Sequence, residues 1–151
     1  MNTVKHLFYL CIISTALLSC KKDVSGCTDS TSDTYNSEAN VDNGTCSYHG
    51  FLTNWYDTTT RDSLVANNVA ALTIYVDNEV VQNINPNIII WSAQPDCSTT
   101  SIGNWITMEG TKSRTISISV KAFDATNTEI RSWNQALTIN AGECELYQVI
   151  W

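Results

Sequence analysis

Apolar and polar residues alternate most clearly at Leu72-Thr73-Ile74-Tyr75-Val76-Asp77. Leu72, Ile74 and Val76 fall on one side of a period of two, and Thr73, Tyr75 and Asp77 on the other, which predicts a half-buried strand. Asp77-Asn78 suits a tight turn, and Glu79 to Ile84 reads as the returning strand. Ile88-Ile89-Ile90-Trp91 is a continuous apolar run, too short for a helix and punctuated by Pro86 and Pro95, so it predicts a strand covered on both faces. Thr115 to Phe123 alternates again, with Ile116, Ile118, Val120 and Ala122 on one side. Asp124 to Asn127 turns the chain, and Thr128 to Ile139 returns. Ile130 and Leu137 fall on opposite parities, which places a bulge near Trp133. Gly142 precedes a last strand from Cys144 to Trp151. About seven or eight short strands at this spacing predict an all-β, two-sheet β-sandwich over 50–151, of immunoglobulin or fibronectin type in general architecture; a closed barrel is the competing arrangement.

The N-terminus has a different pattern. Lys5 precedes a twelve-residue apolar run, Leu7 to Leu18, interrupted by Ser14 and Thr15. As a helix it would be roughly 18 Å long, short of the about 30 Å that a bilayer core requires. A charged start, a short apolar stretch and a small residue at the end form an export signal. Leu17-Leu18-Ser19-Cys20 resembles the lipobox of bacterial lipoproteins. The small Ser19 suits the cut, and a thiol at Cys20 can take up a diacylglyceryl group. The resemblance implies a signal peptide over 1–19, a lipid on Cys20, and anchoring in the outer membrane of a cell envelope. Periplasmic and outward-facing placements both fit. The competing reading is an ordinary signal peptide cut elsewhere, with Cys20 left for a disulfide.

Six cysteines are present. Setting aside Cys11 in the leader and Cys20 leaves Cys27, Cys46, Cys97 and Cys144, an even number that reads as two disulfides in an exported chain. Of three possible pairings, Cys27–Cys46 with Cys97–Cys144 keeps each pair within one compositional segment. In the chain-entropy picture these loops contribute about 3 and 4 kcal/mol. A structural zinc site is the alternative, but the chain has no C-x-x-C pair.

Residues 20–49 form a tether and an acidic loop. Gly26 to Tyr48 is dense in Asp, Asn, Ser, Thr and Gly and cannot by itself bury enough apolar surface to offset its ordering entropy. This stretch resembles a short module of exported Bacteroidota proteins, approximately G-C-T-D, then A-x-N-Y, then A-x-x-D-[DN]-G-[ST]-C. Gly26, Cys27, Thr28, Asp29, Tyr35, Asn36, Ala39, Asp42, Asn43, Gly44, Thr45 and Cys46 match; Ser32 and Thr34 depart. The module implies no activity, but it fits a lipoprotein. Asp29, Asp33, Glu38 and Asp42 offer oxygen ligands for calcium. The EF-hand spacing fails, because counting back from Gly44 puts Val41 and Ala39 at ligand positions. A solvated acidic spacer is the reading adopted, with no cofactor.

The body is similar to small sandwich domains of Bacteroidota lipoproteins through "LTIYVDNEVV", "PDC" and "AGEC". That likeness implies pairing of Cys97 with Cys144 across the domain.

Composition narrows the function. Charged residues make up 15% of the chain and the net charge is −7. No cationic cluster follows the leader, which excludes nucleic acid as a partner. His49, the one histidine after the leader, reads as a solvated residue at the junction of spacer and body. No G-x-S-x-G elbow, H-E-x-x-H or phosphate-binding loop occurs. Asp57, Asp62, Asp96 and Glu109 lie in expected loops, and nothing sets two of them at a working distance for glycoside hydrolysis. Five tryptophans remain. Trp91 belongs to the core, and packing is the ordinary role of the others. Trp105 follows a glycine-bearing loop, and Trp55 and Tyr56 flank the polar stretch Asp57 to Thr60, so these three are the residues to stack on a sugar ring. The expectation is a non-catalytic, lipid-anchored binding or structural module whose partners are the membrane and a polysaccharide or another envelope protein. A carbohydrate-binding protein is the first alternative and a small glycoside hydrolase the second.

Overall fold

The computed structural model describes residues 22–88, 91–97 and 103–151. The leader and Cys20 lie outside them. Strands β1 (Ser25–Gly26) and β2 (Val41–Asp42) pair in parallel within the N-terminal module. Strand β3 (Ser47–Trp55), helix α1 (Thr58–Ala66), and strands β4 (Ala71–Val76), β5 (Glu79–Ile84), β6 (Asn104–Glu109), β7 (Ser113–Phe123), β8 (Glu129–Asn140) and β9 (Cys144–Gln148) follow. Two sheets result, ordered β6-β3-β9 and β5-β4-β7-β8. They pack as a sandwich around one core that takes Leu52, Ile106 and Tyr147 from the first sheet. The second contributes Leu72, Ile74, Ile84, Ile116, Ile118, Val120 and Ile139. The alternation read for β4 and β7 is what buries these residues.

The β4–β5 turn is Asp77-Asn78, with φ of 49° and 71°. Positive φ at both central positions matches the right-handed twist of a hairpin. Asp77 Oδ1 also accepts from the Ser117 amide at 2.8 Å, tying the turn to β7.

Several expectations change. Pro86 to Ile88 is a turn rather than the start of a strand, and Ile88 is exposed; residues 89 and 90 lie outside the described set. Trp91 is half-buried, edge-on to Tyr56 at 4.9 Å between ring centroids. The irregularity in β8 falls three residues before the expected place. The register shifts where Ala122 faces Arg131 and Phe123 faces Glu129, so Ile130 is the extra residue and Trp133 pairs regularly with Val120. Asp57 to Thr60 is not a loop. Asp57 Oδ1 accepts from the Thr60 amide at 2.7 Å and caps α1, satisfying a donor that the first helical turn leaves free. Thr60 and Leu64, one turn apart, are the buried face of α1. Three successive threonines are weak helix formers; the cap and this burial hold them.

Strand β3 also crosses the expected boundary between 49 and 50, joining spacer and body. It pairs antiparallel with β6 from Ser47 and parallel with β9 from Phe51. A second small core forms at its start from the Cys27–Cys46 disulfide, Tyr48 and Met108, with Ala141 against them. The Cys97–Cys144 disulfide ties the segment before β6 to β9. Both pairs are those favoured from the sequence.

Gly50 is where β3 meets β8. A Cβ there would press on the Ile139 side chain and stand 2.7 Å from the Asn140 carbonyl oxygen. Gly50→Ala is expected to cost about 1–3 kcal/mol through overpacking against backbone that cannot retreat. Denaturant unfolding, read as a lower midpoint with unchanged slope, checks this.

Candidate functional site

The outward parity of β3 carries His49 and Phe51, and β6 sets Trp105 directly opposite Phe51. The Phe51 and Trp105 rings meet edge to face, with centroids 5.0 Å apart and planes at 67°. His49 meets the same indole at 6.0 Å and 87°. Such edge contacts stabilise a ring without covering its face. Trp105 is 71% exposed. Gly103 leaves the space that Phe51 fills, because a Cβ there would clash with the edge of the Phe51 ring and stand 3.0 Å from Thr53 Oγ1.

On the other side of Phe51, β9 begins at Cys144. The β8–β9 turn is held against β3 by the Phe51 amide, which donates to Glu143 O at 2.9 Å, and the Gly142 amide, which donates to His49 O at 2.8 Å. Glu143 Oε2 accepts from the side-chain Nδ2 of Asn140 at 2.9 Å. The N-terminal module supplies the last wall through Asp33, whose carboxylate lies 2.7 Å from His49 Nδ1. Together these residues and the Cys97–Cys144 disulfide line an open cleft of about 610 Å³. Its described lining includes Asp33, Glu143 and His49 but neither lysine nor arginine.

The module is held in place by named bonds. Ser32 Oγ donates to Ser47 O at 2.8 Å, the Asp33 amide donates to the same carbonyl at 2.9 Å, and the Ser47 amide donates to Thr34 Oγ1 at 2.9 Å. Tyr48 donates its hydroxyl to Asp29 Oδ2 at 2.8 Å, and Lys112 Nζ lies 2.7 Å from the same oxygen. The Lys112 ammonium first, then the Thr31 and Tyr48 donors, hold the Asp29 carboxyl far below the ordinary carboxylate range. The same bond raises the Tyr48 phenol.

Of the three aromatics expected to meet a ligand, Trp105 alone is exposed. Trp55 and Tyr56 are buried, and burial pushes the Tyr56 hydroxyl up to about 12. Their rings are packing elements and cannot serve as an open platform. Trp133 and Trp151 pack edge-on at 5.9 Å beneath the Arg131 guanidinium, and Trp133 Nε1 donates to Ile150 O at 2.8 Å.

The acidic residues considered for calcium have other partners. Asp29 faces Lys112 and Tyr48, Asp33 faces His49, and Asp42 Oδ1 accepts from the Gly44 amide at 3.1 Å. Among the described residues no group of three His, Cys, Asp or Glu side chains comes together to hold a metal ion. The carboxylates considered for hydrolysis are also placed differently. Asp57 caps α1, Asp62 within it pairs with Arg61 at 2.9 Å, and Glu109 accepts from Ser47 Oγ at 3.3 Å. The carboxylates that share the cleft are Asp33 and Glu143.

Sequence reasoning missed His49, Phe51 and Glu143 as site residues and places Asp33 in a solvated acidic spacer. The parity of His49 and Phe51 was the available signal, but no strand was read there. No helix among the described residues is long and apolar enough to cross a membrane. Comparison with protein-family models, curated proteins and solved structures finds no match.

Asp29 has a folded-state pKa depressed below the ordinary 3.8. Its contribution to stability is therefore complete above that value and is lost as the pH falls through the lower, folded one. Asp29→Asn is expected to melt below wild type at pH 7, and the gap between the two proteins is expected to narrow progressively once the pH falls below 3.8, toward the lower folded-state value. Thermal unfolding followed by circular dichroism across pH checks the sign.

Proposed function

We propose that this chain is a non-catalytic binding module of the cell envelope, tethered by lipid on Cys20, that takes a carbohydrate at the Trp105 cleft. One observation carries the reading: an indole that is 71% exposed, propped by His49 and Phe51, within a cleft lined by hydrogen-bond acceptors. An exposed large aromatic with its edges fixed and its face open suits stacking against the C–H face of a sugar ring. The sugar's hydroxyls find acceptors at the cleft wall.

The two disulfides fit an oxidising compartment outside the cytoplasm. The likeness of Leu17 to Cys20 to a lipobox adds the anchor, and the net charge of −7 over the whole chain disfavours contact with anionic lipid surfaces. The reading assigns recognition without turnover, with Asp33 and Glu143 holding His49 and Asn140 in place at the cleft wall.

Titration with soluble neutral polysaccharides such as β-glucan, starch, xylan and mannan is expected to quench or shift tryptophan fluorescence for at least one of them, without release of reducing ends. Trp105→Ala is expected to weaken that binding about tenfold or more, roughly 1.4 kcal/mol, by removing the stacking face. An unchanged affinity excludes the cleft. For the anchor, Cys20→Ser is expected to abolish incorporation of labelled fatty acid and to leave uncleaved precursor; labelling that persists places the lipid elsewhere.

A further inference from the structure

We infer that the N-terminal disulfide module is part of the ligand site: Asp33 fixes the proton of His49 on Nδ1 and so presents Nε2 to the cleft as an acceptor for hydroxyls of a neutral sugar. The inference rests on the carbohydrate reading and names its specificity.

The argument begins with the tautomer. An ionised carboxylate can only accept, so the 2.7 Å contact between Asp33 Oδ2 and His49 Nδ1 requires the hydrogen on Nδ1. In neutral imidazole the other nitrogen then carries a lone pair. No hydrogen bond from a described residue reaches Nε2. Trp105 stands edge-on to the ring at 6.0 Å, and the His49 carbonyl is held by the Gly142 amide, which sets the backbone from which the ring projects. The Asp33 backbone is held against β3, since its amide donates to Ser47 O and the adjacent Ser32 hydroxyl donates to the same carbonyl. A covalently closed module docked on the start of β3 thereby places one carboxylate at one ring nitrogen.

The chemistry of the cleft follows. Glu143 and His49 Nε2 are the acceptors, with the Asp33 carboxylate engaged by His49, and the lining lacks lysine and arginine among the described residues. A ligand that donates hydrogen bonds and stacks suits these walls, whereas an acidic glycan would meet two carboxylates with no cation to offset them. A neutral polyhydroxyl ring satisfies both conditions. Asp33 acts here through His49, as a positioning residue.

The test uses the purified full chain in mild detergent, labelled with 15N at histidine. Above the usual imidazole range, long-range 1H–15N correlation spectra are expected to show His49 as the Nδ1–H tautomer. Asp33→Ala is expected to shift it toward Nε2–H, whereas Asp33→Asn, which keeps an acceptor oxygen, retains most of the wild-type pattern. Binding of the neutral polysaccharide is expected to fall about tenfold in Asp33→Ala and equally in His49→Leu, with no further loss when the two are combined. Affinity is expected to be insensitive to added salt, and uronic-acid polysaccharides are expected to bind more weakly.

An Nε2–H tautomer in wild type, or unchanged binding in a folded Asp33→Ala protein, overturns the inference. If Trp105→Ala still abolishes binding in that case, the carbohydrate reading survives alone. Preference for uronic-acid polymers overturns the acceptor assignment. If no polysaccharide binds to wild type, the inference and the carbohydrate reading fail together, while the spectra still report the Asp33–His49 bond independently.

Discussion

Strand β3 is the constraint on which the rest of the structure depends. It is hydrogen-bonded along both edges, antiparallel to β6 and parallel to β9. A strand paired on both sides satisfies its backbone groups within the sheet, which is what allows it to be buried. Its inward residues serve two cores in succession. Tyr48 joins the Cys27–Cys46 disulfide and Met108, while Leu52 joins the main sandwich. Gly50 lies between them, and its missing side chain lets β3 close against Ile139 and Asn140 of the second sheet. Main body and N-terminal module are thus joined through one strand rather than through a linker.

The outward residues of the same strand make the cleft. Inside and outside alternate along a strand, so burying Leu52 and the small Gly50 leaves Phe51 and His49 facing outward. Register then decides their neighbours: Trp105 opposite Phe51 on one side, Cys144 opposite it on the other. The disulfide to Cys97 and the β8–β9 turn complete the wall. Stability and recognition are therefore coupled, because a shift of one residue in β3 would turn the aromatic face inward and the core outward.

Electrostatics have a local role here. The ion pairs are exposed, and exposed pairs contribute little to stability when taken singly. Their value is positional. Asp29 gathers Lys112, Thr31 and Tyr48 and fixes the module on the sheet. Asp33, four residues on, is then carried to His49. An acidic, Ser/Thr-rich segment that looks like a solvated spacer becomes ordered because its oxygens accept bonds from the body and its disulfide limits its freedom.

Much of the architecture was legible in the chain. Strands β4, β5 and β7, the Asp77-Asn78 turn, the all-β class and the presence of two disulfides follow from alternation, turn chemistry and an even cysteine count, and the observed pairing is the one that keeps each bridge within one compositional segment. Trp105 was distinguishable as the tryptophan beside a glycine. What was hidden shares one physical cause, that local pattern is silent about partners distant in sequence. Gly50 and Asn54 break the apolar alternation of Ser47 to Trp55, so the central strand of the first sheet gave no signal. Trp55 and Tyr56 are covered by tertiary packing that no window of neighbours encodes. The sequence by itself determined the class of fold, favoured one set of covalent staples and named Trp105 among three aromatics that could meet a ligand. The tertiary structure alone decided that Asp33 and His49, sixteen residues apart, share a hydrogen bond beside that aromatic, because the docking of the N-terminal module on Ser47 sets their separation and the pairing of β3 with β6 brings Trp105 alongside.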